Sequence, residues 1–136
     1  MEDAGGKVVY PTARQVCEVN RRMVEEFGGS FVPPNNVRNL DALEYILGAV
    51  RFSIFSRIMY ASLKEKAAAI AHHIISRHIF HDGNKRTAIH IAWEFLRSNG
   101  IRISLEPTIV ELSVAIATGD AGQEEVLQWL HSHQQG

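Results

Sequence analysis

The chain has 136 residues, enough for one domain, and 46% of them are apolar, so a sizeable core is available and global disorder is excluded. Its 14 basic and 15 acidic residues nearly cancel. No global positive field exists to hold nucleic acid, and only a local basic patch remains as an option. Cys17 stands alone, which excludes an intramolecular disulfide and a four-cysteine zinc site. On its helix it reads as a small core residue. No apolar run approaches the roughly 20 residues needed to span a bilayer, and the opening Met1-Glu2-Asp3-Ala4-Gly5-Gly6 does not read as a secretory signal. The expectation is a soluble, cytoplasmic, single-domain protein over residues 1–136.

In chain order the elements are almost all helical. Pro11-Thr12 opens a helix whose apolar positions Val16, Val19, Met23, Val24 and Phe27 recur at helical spacing, and Gly28-Gly29 ends it. Residues 30–39, with Pro33-Pro34-Asn35-Asn36, read as a loop. A short helix from Asp41 turns Leu43, Ile46 and Leu47 inward until Gly48. Residues 49–60 are ambiguous: Val50 to Phe55 alternates as a strand or hairpin arm would, yet the same letters also continue a helix. From Leu63 to His78 one apolar stripe holds its helical spacing through Ala67, Ile70, Ala71, Ile74 and Ile75. Gly83 interrupts the chain. A helix from about Asn84 to Ser98 then carries apolar residues around most of its circumference, as a central buried helix does. Ile101-Arg102-Ile103 is an extended link, and Pro107 starts a helix closed by Gly119. A last amphipathic helix holds Val126, Leu127, Trp129 and Leu130, with His131 and His133 read as a frayed tail. Trp93 and Trp129 read as core residues.

The unusual chemistry lies in the turn between the two central helices. A helix N-terminus carries free N–H groups and partial positive charge, so acids are favoured in its first turn. Here the first turn holds Lys85 and Arg86, and no acid follows until Glu94. Each base opposes the dipole at a cost of roughly 0.3–1 kcal/mol. An anion at the site reverses that sign, because the dipole, the N–H groups and both cations then favour it. Gly83 permits close backbone approach, and Asn84 can supply an amide or cap the helix. Asp82 beside a phosphate site suits Mg²⁺, which is commonly held by one or two carboxylates plus phosphate oxygens. His78, four residues earlier, can take a proton from an attacking hydroxyl near neutral pH. Taken singly, these residues have plain readings: a histidine favoured at a helix C-terminus, an Asp-Gly turn, a solvated basic face. Their coincidence in one turn favours function. His72, His73 and His81 lack the i, i+4 spacing of a helical zinc pair and make a poor metal cluster.

The run His78-Ile79-Phe80-His81-Asp82-Gly83-Asn84-Lys85-Arg86-Thr87-Ala88 resembles the signature of the Fic superfamily, His-x-Phe-x-Asp/Glu-Gly-Asn-x-Arg. It is closer to the Doc (death-on-curing) branch, where Asn-Lys-Arg-Thr-Ala is typical. The segments Phe27-Gly28-Gly29, Phe95 to Gly100, Ala117-Thr118-Gly119 and Trp129-Leu130 look like further Doc landmarks in order. The resemblance implies an all-α, compact domain around a central helix–loop–helix, with an active-site loop at 78–86. A short flap, either a β-hairpin or a helical continuation, would fall at about 49–60. It also implies His78 as general base, Phe80 as core anchor and Asp82 as the Mg²⁺ ligand. Gly83, Asn84, Lys85 and Arg86 would bind nucleotide phosphates, with Lys85 and Arg86 serving catalysis.

The departures from the signature point to a subtype. Adenylylating Fic proteins have glycine where this chain has Lys85, a second arginine where it has Ile89, and often proline where it has Ile79. Doc proteins with this pattern resemble kinases that phosphorylate elongation factor Tu and block translation. The resemblance therefore implies a toxin of a toxin–antitoxin pair that transfers a phosphoryl group from Mg²⁺-ATP to a protein hydroxyl. Transfer of AMP is the alternative, and an inactive Doc-fold binding module is another. A metal-dependent phosphohydrolase using His78 and Asp82 is a further rival. His90 stands where Doc relatives often carry asparagine, which puts one nucleotide contact in doubt. No Ser or Thr has Glu four positions later, so the self-inhibitory Ser/Thr-x-x-x-Glu helix of many Fic proteins is missing. Restraint is expected in trans, from a Phd-type antitoxin on an apolar groove.

Overall fold

The computed structural model describes residues 7–52 and 60–135. Among them run six helices: α1 Ala13–Phe27, α2 Leu40–Ala49, α3 Leu63–Ser76, α4 Asn84–Ser98, α5 Thr108–Thr118 and α6 Gln123–Ser132. Two short strands, β1 Arg102–Ile103 and β2 Gln134–Gln135, pair antiparallel. The domain is all-α in class, as its periodicity indicates.

Local signals set the helix ends. Thr12 and Glu65's partner Ser62 each form a reciprocal capping box, with Gln15 on α1 and Glu65 on α3. The Asn39 side chain caps α2 by accepting from the Ala42 N–H at 3.1 Å. Pro107 precedes α5, and Gly119 closes it in the left-handed conformation.

The centre of the domain is α3. It packs against α2, α4, α5 and α6, while α1 covers α4. Ala67, Ala68, Ala69 and Ala71 are all buried on α3. Their small side chains let the surrounding helices approach, and Ile70, Ile74, Leu96 and Phe95 fill the space between. On α4 the buried set is Thr87, Ala88, Ile91, Ala92, Phe95 and Leu96. Trp93 and Trp129 are half-buried against this core, as expected of core residues.

One expectation changes here. The C-terminal segment is not frayed: His133 stacks on Trp129 at 3.8 Å between ring centroids, and the Ser104 N–H donates to the His133 carbonyl at 2.8 Å. Local periodicity carries no signal for a pairing between residues this far apart in sequence. Of the flap stretch, residues 53–59 lie outside the described residues. Its described beginning is a turn, in which the Arg51 and Phe52 N–H groups donate to the Gly48 carbonyl. Lys66, buried on α3, donates to the Val50 carbonyl at 2.6 Å and so secures the end of α2. Among the described residues, no helix is long and apolar enough to cross a membrane.

Candidate active site

The loop between α3 and α4 begins with strained backbone. The α3 ladder stops at Ser76, and the N–H groups of His78 and Ile79 donate to the carbonyls of Ile75 and Ile74, each at 3.3 Å. This is the paired-bond helix terminus in which a left-handed residue, usually glycine, follows the cap. His78 occupies that position with φ of 48°. The apolar stripe therefore does not carry His78 inward as the helix's last residue; His78 lies two residues past the helix and is exposed. A side chain in this conformation costs about 1–2 kcal/mol, and such strain clusters at functional sites.

The next residues alternate between core and solvent. Ile79 and Phe80 are buried, while His81 and Asp82 are exposed. Phe80 thus anchors the loop, and Asn84 completes the hold on it. The Asn84 side chain accepts from the Phe80 N–H at 2.9 Å and donates to the Phe80 carbonyl at 2.8 Å. With both amide groups engaged, it braces the loop, and its backbone N–H is the part left for a ligand. The α1–α2 loop laces to the other side. Val37 bridges Phe80, Arg38 and Asn39 donate to the Ile79 carbonyl, and the His81 N–H donates to the Asn36 carbonyl.

At the start of α4, Gly83 takes φ of 80° and no side chain caps the helix. A Cβ on Gly83 would meet Asn20 Nδ2 at 3.0 Å and Val24 at 3.2 Å, so packing as well as φ selects glycine. The first N–H groups of α4 are thereby left for a ligand, with Lys85 and Arg86 exposed beside them. The Arg86 guanidinium rests over the Phe27 ring at 4.1 Å, which steadies it. The Asp82 carboxylate accepts the Ser30 N–H at 2.9 Å and the Gly83 N–H at 2.8 Å. The Ser30 bond, then the Gly83 bond, and the Lys85 charge hold it below its usual range against partial desolvation. It is ionised at neutral pH.

All seven of His78, His81, Asp82, Gly83, Asn84, Lys85 and Arg86 line one cleft of about 310 Å³, floored by Met23, Ile75 and Ala117. Such a setting fits Mg²⁺-phosphate: each Asp82 oxygen accepts one N–H and keeps a lone pair, and phosphate oxygens would complete the shell. Among the described residues, no three His, Cys, Asp or Glu side chains gather to hold a metal by themselves.

The remaining residues sit apart from this cleft. Ile89 lines an apolar cavity between α3, α4, α5 and α6, so the position of the absent second arginine faces hydrocarbon. His90 lines a separate cleft of about 240 Å³ with Tyr10, Arg22 and Glu94. Burial lowers its pKa. His72 and His73 are half-buried on α3 and are likewise lowered, first by burial and then by the Arg77 charge.

Three buried polar residues lie under the loop: Thr87, which belongs to the recognised run, and Asn20 and Asn36, which escape a reading by motif. Asn20 donates to the Asp82 carbonyl at 2.8 Å and to Thr87 Oγ1 at 3.1 Å, and Asn36 donates to Asn20 Oδ1 at 2.9 Å. One signal was available. Asn20 lies on the Val16–Val24 stripe of α1, and an amide on a core face is stable only when fully bonded.

Sequence comparison finds related proteins. The model of the Fic/DOC family matches residues 10–96. The chain is 33% identical over 90 residues to "Protein kinase doc" of Escherichia phage P1, covering 64% of this chain and 68% of that protein. It is 29% identical over 103 residues to "Toxin Doc" of Mycolicibacterium smegmatis, covering 74% of this chain and 76% of that protein.

Proposed function

The chain belongs to the Fic/Doc family, and from that premise we propose that it is a Doc-like toxin that transfers the γ-phosphoryl group of Mg²⁺-ATP to a protein hydroxyl. The observation that carries this reading is the single cleft shared by His78, Asp82 and the uncapped start of α4 with Lys85 and Arg86. His78 takes the proton from the attacking hydroxyl as the new O–P bond forms, and ADP leaves. Lys85, Arg86 and the α4 N–H groups bind and orient the phosphates and stabilise their developing charge. Asp82 is the ligand for Mg²⁺, which when bound neutralises phosphate charge.

Phosphoryl transfer is favoured over AMP transfer by two positions. Lys85 stands at the cleft where adenylylating relatives are expected to have glycine. Ile89 stands in an apolar cavity where they are expected to have arginine. The name of the phage relative, a protein kinase, agrees. The acceptor we propose, from the likeness to the Doc pattern, is a hydroxyl of elongation factor Tu or a similar protein, whose modification blocks translation. A Phd-type antitoxin supplies restraint in trans, since the chain holds no Ser/Thr-x-x-x-Glu sequence.

Intact mass of purified elongation factor Tu, after incubation with the protein, Mg²⁺ and ATP, tests the proposal. A gain of one phosphoryl group, lost in His78→Ala, is the expected result. A gain of AMP would move the protein to adenylylation, and an unchanged mass would remove this acceptor.

A further inference from the structure

Asp82 is held from two sides by residues outside the recognised loop. Its backbone carbonyl accepts from Asn20 Nδ2 at 2.8 Å and from Asn36 Nδ2 at 3.3 Å. Both asparagines are wholly buried. Their amides are fully used: Asn36 Oδ1 accepts the Val32 N–H, Asn20 Oδ1 accepts from Asn36, and the second Asn20 N–H goes to Thr87. A closed network of this kind has no slack, because losing one member leaves the others unpaired in the core. Asn36 also takes φ of 63°, a conformation that asparagine tolerates better than most residues. On the other side the carboxylate is held by the Ser30 N–H. The neighbouring Gly29, at φ of 134°, lies so close that a Cβ there would be 2.8 Å from Asp82 Oδ2.

We propose that Asn20, Asn36 and Gly29 are positioning residues for the Asp82 carboxylate: the asparagines fix its backbone from below, and Gly29 leaves the space its oxygens occupy. The inference rests on the reading of Asp82 as the Mg²⁺ ligand given above. None of the three hydrogen-bonds to Lys85 or Arg86, and Asn36 and Gly29, the two positions varied below, lie on the α1–α2 loop rather than against the start of α4. Their removal therefore acts on the metal-dependent part of nucleotide binding and leaves the metal-free part in place. Partners that orient a metal-ligating side chain are typically worth about 10- to 100-fold in metal affinity.

Calorimetric titration of the purified protein with ATP, with and without Mg²⁺, separates the two parts without reference to turnover. Two variants are compared with the parent. Asn36→Gly keeps the left-handed backbone and deletes the amide, and Gly29→Ala intrudes on the carboxylate from an exposed loop while sparing the buried network. The expected result is that Mg²⁺ strengthens ATP binding in the parent, and that each folded variant loses about tenfold or more of this gain. Metal-free ATP affinity should stay within about twofold. A full Mg²⁺ gain in both variants would overturn the inference and leave the function intact. So would an equal loss of metal-free and metal-dependent binding, which a merely structural role produces. A parent with no Mg²⁺ gain at all would overturn the reading of the site itself, and the inference with it. Should Asn36→Gly fail to fold, Gly29→Ala alone decides.

Discussion

Replacing His78 by glycine is expected to make the protein more stable than replacing it by alanine, while both variants lose activity. At φ of 48° the His78 Cβ crowds the following carbonyl, at a cost of about 1–2 kcal/mol. Glycine lacks that crowding but adds roughly 0.5–1 kcal/mol of chain entropy to the unfolded state. His78 is exposed, so little packing is lost with its side chain. Alanine removes the imidazole and keeps the strain. The difference between the two variants therefore isolates the backbone term, and glycine should lead by about 1 kcal/mol. For a domain of this size that raises Tm by roughly 3–5 °C. Thermal and urea denaturation followed by circular dichroism measure the stability, and phosphoryl transfer measures activity. Glycine no more stable than alanine would refute the strain argument. An active glycine variant would refute His78 as the base.

Three further outcomes follow from the packing. His72, His73 and His90 have pKa values lowered chiefly by burial, so the unfolded chain binds their protons more readily. Stability should be full above their unfolded value of about 6.5, fall as pH drops through it, and level off below the folded values. Urea midpoints at intervals between pH 8 and 5, about the range histidines titrate in, should trace this fall, and a His72→Gln/His73→Gln variant should flatten it; a flat parent profile contradicts the reading. Phe80→Ala should cost about 3–5 kcal/mol in urea unfolding, because a wholly buried ring is removed beneath the loop. Lys66→Met should cost about 1–3 kcal/mol by the same measurement, since the Val50 carbonyl loses its buried donor.

What the sequence made legible was local. Helix faces follow from apolar spacing, and helix ends from Thr12, Ser62, Gly83 and Gly119, because caps act within one turn. The site loop was legible for the same reason: its residues lie within nine positions. Periodicity was misleading at His78. The stripe from Leu63 continues to it arithmetically, but spacing reports which face is buried and not where the hydrogen-bond ladder stops. No glycine marked the left-handed residue. The hold of Asn20 and Asn36 on Asp82 crosses 62 and 46 residues of sequence, so no local pattern encodes it. The pairing of β1 with β2 is long-range in the same way.

The most direct test of the central claim is label transfer from ATP carrying the isotope at either the γ or the α phosphate, with elongation factor Tu as acceptor and Mg²⁺ present. The account predicts label on the acceptor from the γ position alone, abolished by His78→Ala and by Asp82→Asn. Label from the α position would contradict phosphoryl transfer and assign the cleft to AMP transfer.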